Sequence, residues 1–386
     1  MLKIEKVIPG GFALATNADG KKIFLWNALP NETIEEYITT KKKSNYEEGI
    51  ATKILTPSPY RVEPIDPCYL STSPWQIVDF NYELELKASL VVELFREHQI
   101  IIDAPLVFTD NNDYFYRNKM EYSLFWDNDE AKIKLAFHNR GSHRKFIVEK
   151  SSIERPELFA AASKIVTRLN DCHEEARKYQ SILLRCNQKG EVSGGLFENG
   201  KPHPIFKNLT DMILDHEYSY SPNGFFQINL PVYEMALREI KKHITTDEIL
   251  DLYAGVGTIG LSVADNQKLT MVEVNASAYE EMLKNAAGRE NVVCKLAKSE
   301  EVLGEIRPSQ AVILDPPRAG CDNRLIEKLI EAKPDTIIYL SCNPATQARD
   351  IKGLLNAYQI EDVKVFNFFP HTPHIENLVV LKSKSC

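Results

Sequence analysis

The sequence has no pair of cysteines at C-x-x-C spacing. Its seven cysteines are scattered over 386 residues, which argues against a disulfide framework and a zinc ribbon and is typical of a reducing compartment. It also has no apolar run as long as a membrane span, and its start, MLKIEKVIPGG, lacks the apolar core of a secretory signal. We therefore expect a cytoplasmic protein that does not enter a membrane.

The sequence also has no excess of basic over acidic residues. The formal net charge is −8, and this weakens a nucleic-acid interpretation because phosphate binding favours a basic surface. The charge is unevenly distributed, however: residues 132–150, KIKLAFHNRGSHRKFIVEK, combine many basic residues with two phenylalanines. A solvated hairpin face explains such a cluster most simply, and an RNA-facing strip is the alternative.

The chain divides into three predicted parts. Residues 1–58 alternate short β-like runs with turns, which predicts a small β-barrel, and a proline-rich linker follows. Residues 59–215 read as a mixed α+β middle domain. In residues 216–386, apolar strand patterns alternate with helix patterns, which predicts an α/β domain with a parallel central sheet covered on both faces. A final strand pair closes the chain, and Ser277 with Glu280 predicts a capping box at one helix start.

The first candidate binding segment of the α/β domain is the glycine-rich turn DLYAGVGTIG. Gly255 and Gly257 would let the backbone turn tightly and approach a ligand. Glu273 ends the next strand, where an acid can bind ribose hydroxyls. A tight turn without a ligand is the alternative. The pattern by itself fits a dinucleotide or S-adenosylmethionine, and its opening D-x-Y favours the methyl donor.

Two more strand ends carry polar residues. Asp315 precedes two prolines in ILDPPRAG, and Cys342 follows an apolar strand in YLSCNPATQARD. Asn343 is a plausible N-cap of the next helix, so Cys342 would lie beside a helix N-terminus, where the dipole favours a thiolate. The alternatives are a capped strand end and an inert core cysteine.

The segment FFPHTPHIENLVV near the C-terminus contains three residues of types that can bind a metal ion, His371, His374 and Glu376. The spacing lacks the i, i+4 arrangement of zinc proteases. We therefore predict no metal, and we favour Glu376 as a general base that faces the same crevice as Cys342.

Together, the stretches GFFQIN, LDLYAGVGTIGL, VEVN, LDPPRAG, YLSCNPAT and FPHTPHIE resemble the S-adenosylmethionine-dependent RNA uracil-C5 methyltransferases of transfer and ribosomal RNA. The resemblance implies a class I, Rossmann-like methyltransferase domain and a TRAM-like, OB-type RNA-binding barrel. It implies that Cys342 is the nucleophile and that Glu376 removes a proton. The positions that it assigns to S-adenosylmethionine are Gln227, Tyr253, Gly255, Gly257, Glu273 and Asp315.

The expected partner is transfer or ribosomal RNA, and we expect a monomer. The basic residues proposed to hold the RNA are Arg117, Lys119, Arg140, Arg144 and Lys145. Two departures from the family stand out. Only Cys68 remains where many members bind an iron–sulfur cluster with four cysteines, so we predict no cluster. Lys298 falls near a position where relatives often carry Asp or Asn toward the adenine of the cofactor.

Other functions remain open on sequence alone. DPPR resembles the D/N-P-P-Y/F loop of enzymes that methylate exocyclic amines, a reaction that needs no thiol. A non-catalytic RNA-binding protein or RNA chaperone is a third interpretation. A dehydrogenase is weaker, because the glycines do not have the usual G-x-G-x-x-G placement.

Overall fold

The N-terminal part is a closed five-stranded barrel in a computed structural model that describes residues 1–142, 144–173, 178–198, 200–203 and 206–384. Its strands are β1 (Leu2–Val7), β2 (Ala13–Thr16), β3 (Lys22–Trp26), β4 (Thr33–Lys42) and β5 (Tyr46–Thr56). They close in the order β1-β2-β3-β5-β4. Alternate side chains such as Ile4, Ile23 and Leu25 fill the barrel, as period-2 patterning requires. The predicted barrel is confirmed.

A connecting segment follows the barrel. It contains α1 (Tyr69–Thr72), α2 (Phe80–Glu97) and β6 (Leu106–Phe108). Asp79 caps α2 by accepting a hydrogen bond from the Tyr82 amide at 3.1 Å. The apolar face of α2 packs against the helix Pro344–Leu354, in a core cluster that also contains Val7 and Leu29 of the N-terminal part.

The middle part is a six-stranded antiparallel sheet with one helix on its apolar face. Its elements are β7 (Lys119–Asp127), β8 (Lys132–His138), β9 (Lys145–Ile147), α3 (Pro156–Asp171), β10 (Ser181–Cys186), β11 (Val192–Glu198) and β12 (Lys201–His203). The strand order is β12-β11-β10-β7-β8-β9. Leu158 and Ala162 of α3 are buried against Tyr122 and Ile182 of the sheet. The basic segment 132–150 forms the β8–β9 edge.

The C-terminal part begins with a hairpin and continues as alternating strands and helices. The elements are β13 (Leu209–Ile213), β14 (His216–Tyr220), α4 (Leu230–Lys242), β15 (Glu248–Leu252), α5 (Thr258–Val263), β16 (Lys268–Glu273), α6 (Ala276–Asn285), β17 (Val292–Leu296), β18 (Ala311–Leu314), α7 (Asn323–Ala332), β19 (Thr336–Ser341), α8 (Pro344–Leu354), β20 (Tyr358–Phe366) and β21 (Glu376–Ser383). Two single-turn 3₁₀ helices, Ser299–Glu301 and Leu303–Glu305, precede β18.

The main sheet has eight strands in the order β17-β16-β15-β18-β19-β21-β20-β6. The run from β17 to β19 is parallel, and β21 is antiparallel to both of its neighbours. One apolar cluster covers each face of the sheet. The expected parallel sheet, with helices on both faces and an antiparallel C-terminal strand, is confirmed.

Three details differ from the sequence predictions. Strand β6 pairs with β20, and α2 packs on the same sheet, so residues 80–108 join the C-terminal sheet although they precede the predicted boundary. The boundary at residue 216 also falls inside the β13–β14 hairpin. The predicted capping box was wrong: Asn275 caps α6 by accepting from the Ala278 amide at 3.0 Å.

Candidate active site

The sheet order brings the candidate residues to one edge. Parallel strands β15, β16, β18 and β19 all end there, so Tyr253, Glu273, Asp315 and Cys342 follow or close their carboxyl ends. Strand β21 runs the opposite way and begins at this edge with Glu376. In open α/β sheets this edge is where ligands bind.

The glycine turn between β15 and α5 leaves room for a ligand. Gly255 has φ +57°, and a Cβ added there would meet no heavy atom within 4 Å outside its chain neighbours. Gly257 has φ +86°, and a Cβ there would lie 3.1 Å from Leu261. Glu273 accepts from the Gly255 amide at 2.8 Å and from the Asn275 amide at 2.6 Å. The backbone at Gly255 is therefore open, and the Glu273 carboxylate is anchored beside it.

The strand before this turn carries a buried acid and a strained tyrosine. Asp251 accepts from the Gly260 amide at 2.9 Å, and its other carboxyl oxygen has no partner. Burial raises the pKa of Asp251 to about 8. Tyr253 has φ +65°, a region that bulky residues rarely adopt, and its hydroxyl donates to Glu300 at 3.3 Å.

The loop that carries Gln227 is held by the middle domain. Lys119 Nζ donates to the carbonyls of Asn223 at 3.2 Å and Gly224 at 3.0 Å. Asn118 Nδ2 donates to the Gln227 carbonyl at 3.2 Å. Burial lowers the pKa of Lys119 to about 8. The amine of Lys119 therefore has carbonyl partners within the protein, which indicates a positioning role beside the RNA contact that we expected from the sequence.

Cys342 is half-buried at the start of α8. Asn343 is the N-cap residue, although its side chain donates to the Arg318 carbonyl at 2.8 Å instead of capping. Burial, followed by the carboxyl groups of Glu376 and Asp315, raises the pKa of the Cys342 thiol to about 11. The expectation that the helix N-terminus makes a thiolate favourable was wrong for this arrangement, because two nearby acids and desolvation act against the helix dipole.

The two carboxyl groups near Cys342 are also desolvated. Burial raises the pKa of Asp315 to about 7. Burial raises the pKa of Glu376 well above its ordinary value, with a further contribution from Asp315, and the Arg318 guanidinium opposes this shift. Arg318 also lowers the pKa of Cys342. Sequence reasoning missed Arg318; its place directly after Asp-Pro-Pro is the signal that could have identified it.

The two histidines before Glu376 lie in separate hydrogen-bonded settings. His371 is buried and its Nε2 lies 3.1 Å from Asp113 Oδ2. His374 has an exposed edge, and its Nδ1 lies 3.2 Å from Arg318 Nη2. Among the residues that the structure describes, no group of three or more His, Cys, Asp or Glu side chains could hold a metal ion. The arrangement therefore gives no support to a metal site.

A buried ion pair anchors the loop that leads to Glu376. Lys87 and Glu83 are fully buried with 2.8 Å between Nζ and Oε1. Lys87 also donates to Asn367 Oδ1 at 2.6 Å and to the Phe369 carbonyl at 3.1 Å. Glu83 Oε2 accepts from the His371 amide at 2.9 Å. Helix α2 thus fixes the backbone of residues 367–371, a contact that no local pattern could reveal.

The basic residues proposed for RNA binding are partly engaged inside the protein. The Arg140 guanidinium lies 4.2 Å from the Trp26 ring centre and donates to the Leu70 carbonyl, so it connects the middle part to the barrel. Lys145 Nζ donates to the Leu124 carbonyl at 3.1 Å.

The other two basic candidates differ in their surroundings. Arg117 Nε donates to the Lys119 carbonyl at 2.9 Å. Arg144 is exposed on the turn before β9. Desolvation lowers the pKa of His374, and cations that include Arg318, Arg117 and Arg140 lower it further. Arg117 and Arg140 therefore lie close enough to His374 for their charges to act on it.

Comparison with known proteins supports one family. The family model described as tRNA (Uracil-5-)-methyltransferase matches residues 208–384. An uncharacterized RNA methyltransferase of Nanoarchaeum equitans is 27% identical over 98% of this chain and 93% of its own length. One from Staphylococcus aureus is 29% identical over 94% and 93% of the two chains.

A solved structure shares the fold along nearly the whole chain. Pyrococcus abyssi tRNA (uracil-54, C5)-methyltransferase, in complex with S-adenosyl-L-homocysteine, matches with a TM-score of 0.79 and 23% identity. The match covers 99% of this chain and 100% of the other.

Residues 208–384 of the chain thus resemble the tRNA (uracil-5-)-methyltransferase family. This is the resemblance that the sequence motifs indicated. The matched region starts at the β13–β14 hairpin and includes the glycine turn, Asp315, Cys342 and Glu376. In the part of the chain that the structure describes, no helix is long and apolar enough to cross a membrane.

Proposed function

We propose that the protein transfers a methyl group from S-adenosylmethionine to C5 of a uridine in RNA. The proposal rests on the placement of Cys342, Glu376 and Arg318 at the edge of the sheet where the parallel strands end. The carboxyl group of Glu376 and the guanidinium group of Arg318 both shift the pKa of the Cys342 thiol. A thiol, a buried carboxyl and a cation at one point are what addition to a pyrimidine and later proton removal require.

The residues at this edge fit S-adenosylmethionine. The space around the α-carbon of Gly255 is open, and Glu273 lies beside it, where its carboxylate would accept hydrogen bonds from ribose hydroxyls. Glu376 is buried and Asp315 is half-buried, and the raised pKa values of both acids indicate too little positive charge nearby. A cationic ligand would lower both pKa values. When bound, S-adenosylmethionine supplies an electrophilic methyl group on a sulfonium centre. Gln227 and Tyr253 complete the proposed pocket.

Cys342 would start the reaction as a thiolate. The C5 atom of uracil is a poor nucleophile, and addition of sulfur at C6 moves an electron pair into an enolate that reaches C5 and O4. Because burial raises the pKa of Cys342 to about 11, the thiol must release its proton to solvent as substrate binds. Arg318 is the residue of this site that favours the thiolate, so its role is to stabilise the charged sulfur.

Glu376 would finish the reaction. After methyl transfer, C5 carries both a hydrogen and a methyl group. The Glu376 carboxylate takes the hydrogen as a proton, the C5–C6 double bond re-forms, and the C6–S bond breaks to return the thiolate. Burial makes Glu376 a stronger base than an exposed carboxylate. The buried Lys87–Glu83 pair holds the loop before it.

The RNA would enter with its target base unstacked, because C6 cannot be reached inside a helix. Arg117 and Arg140, whose charges act on His374, are proposed to contact the RNA, and the barrel is proposed as a TRAM-like RNA-binding module. We take transfer RNA as the first substrate to test because the matched family is named for it. The protein is proposed to act as a monomer in the cytoplasm.

A covalent trap tests this proposal. The protein is mixed with S-adenosylmethionine and transfer RNA substituted with 5-fluorouridine, and the products are separated on a denaturing gel. Fluorine at C5 cannot leave as a proton, so the wild type should stall as a protein–RNA adduct. Cys342→Ala should give no adduct, whereas Cys321→Ala, a change at a buried cysteine in a helix-packing cluster, should keep it if the fold survives. Methyl transfer without an adduct, retained in Cys342→Ala, would favour amine methylation instead.

A further inference from the structure

A cavity of about 360 Å³ opens where the N-terminus of α4 meets the middle sheet. None of the residues proposed for methyl transfer or cofactor binding lines it. Its wall includes residues 228–231, which follow Gln227 directly, and residues 114–116 and 118 from the middle part. The cavity is therefore separate from the catalytic residues but opens beside the loop that leads to them.

Two buried asparagines belong to the wall of this cavity and have side-chain amide atoms without a hydrogen-bond partner. Asn229 is 1% exposed and is the N-cap residue of α4, yet neither its Oδ1 nor its Nδ2 has a hydrogen-bond partner. Asn118 is 4% exposed, and its Oδ1 has none either. A buried amide without a partner is destabilising. An N-cap asparagine normally uses its oxygen on its own helix, so the unpartnered amide of Asn229 sets the start of α4 apart from an ordinary helix start.

An aromatic rim lies beside the two amides. Phe115 is 55% exposed and has φ +55°, a conformation that bulky residues rarely adopt. Its amide donates to the Ser152 carbonyl at 2.8 Å, which holds the strained backbone in place. Tyr114 also lines the cavity, and the side chain of Gln188 lies exposed at its mouth. Flat aromatic faces next to amide groups are the chemistry that recognises an unstacked nucleobase.

We propose that this cavity binds a second unstacked nucleobase of the same RNA, a neighbour of the methylated uridine. The inference rests on the proposed function for the identity of the RNA. The exposed amide of Gln188 offers a donor and an acceptor side by side, which matches the edge of a base. The volume lies near the low end of small-molecule pockets, roughly 300–1,000 Å³, and suits one nucleotide. RNA is favoured over a free nucleotide because the wall of the cavity continues into the Gln227 loop.

Equilibrium binding of an unmodified transfer RNA transcript to the full chain, at fixed salt, tests the proposal. Phe115→Ala removes a stacking surface and should weaken binding roughly tenfold. Gln188→Leu, a change at an exposed position, should weaken it by a smaller factor. Trp126→Ala is the matched control, because Trp126 is also an exposed aromatic residue of the middle part but does not line the cavity. Methyl transfer should show a raised KM for the transcript and an unchanged kcat.

Three outcomes would overturn the proposal. The first is that Phe115→Ala and Gln188→Leu bind the transcript as tightly as the wild type. The second is that the wild type does not bind the transcript. The third is that Phe115→Ala loses binding of adenosine monophosphate, which the wild type shows, but still binds the transcript as the wild type does. This result would assign the cavity to a free nucleotide. Weakened transcript binding by both variants, with no methylation by the wild type, would sink the proposed function and leave the cavity assignment standing.

Discussion

Replacing Lys87 with methionine is expected to destabilise the loop that leads to Glu376. The Lys87 side chain is fully buried, and its ammonium group makes three contacts, to Glu83 Oε1 at 2.8 Å, Asn367 Oδ1 at 2.6 Å and the Phe369 carbonyl at 3.1 Å. Methionine has a similar length but no donor. The change would leave the Glu83 carboxylate buried beside two carbonyl oxygens without its cation.

The magnitude follows from the burial of the pair. Removing one partner of a buried ion pair costs about 3–5 kcal/mol, because the remaining charge is left uncompensated. Lys241→Met is a control: Lys241 lies 2.6 Å from Asp265, but both side chains are largely exposed. An exposed pair contributes only about 0–1 kcal/mol. Glu83→Gln combined with Lys87→Met should recover part of the loss, since the buried charge is then gone.

Hydrogen exchange measures this effect locally. The His371 amide donates to Glu83, so its exchange reports on the anchored loop. A loss of about 3–5 kcal/mol corresponds to exchange that is faster by roughly two to three and a half orders of magnitude, until global unfolding sets the limit. Methyl transfer should fall as well. Exchange of residues 367–376 in Lys87→Met that stays within a few-fold of the wild type would refute the reasoning.

Three further predictions concern the thiol, the barrel contact and a buried acid. Because the pKa of Cys342 is about 11, its alkylation by iodoacetamide should rise about tenfold per pH unit between pH 7 and 9, and Arg318→Ala should slow it. Gly11→Ala would place a Cβ 2.4 Å from Pro373 at φ +91°, and should lower the melting temperature and methyl transfer. Burial raises the pKa of Asp251 to about 8, so the folded state retains a proton that the unfolded chain releases above about pH 4. The free energy of unfolding should therefore fall as pH rises from about 4 to 8. Asp251→Asn should flatten this pH dependence in denaturant titrations.

Each of these predictions has a matched control. Alkylation of Cys172, an exposed cysteine, should not respond to Arg318→Ala; an equal response would mean that the effect is not local. Gly10→Ala has a similar φ of +89° but open space around its Cβ, so it should be milder than Gly11→Ala. Asp265→Asn, at an exposed position, should leave the pH dependence of stability unchanged. An unaltered slope in Asp251→Asn would contradict the assignment of the buried proton.

Burial is the largest cause of the raised pKa values at the site. Asp315, Glu376 and Cys342 all have raised pKa values, and the Arg318 guanidinium is the cation that opposes the shifts of Glu376 and Cys342. Without a ligand the thiol therefore holds its proton near neutral pH. The proposed site gains reactivity only when a cationic ligand and a substrate base arrive, which would protect the thiol from unwanted reactions.

The sequence by itself determined the features that depend on local patterns. Period-2 runs separated by turns predicted the barrel, and continuous apolar strands between helices predicted the parallel sheet. Because parallel strands end at one edge, strand-end positions were enough to bring Glu273, Asp315 and Cys342 together in the prediction. The positive φ angles of Gly255 and Gly257 likewise agree with a turn that glycine makes easy.

Only the tertiary structure decided what depends on residues far apart in the chain. The three residues of β6 are too few to show which sheet they join. The Lys87–Asn367 contact spans 280 positions, and no pattern within α2 predicts it. The pKa of Cys342 was mispredicted for the same reason: the helix dipole is local and visible in sequence, whereas burial and the charge of Glu376 arise only when separate strands pack together.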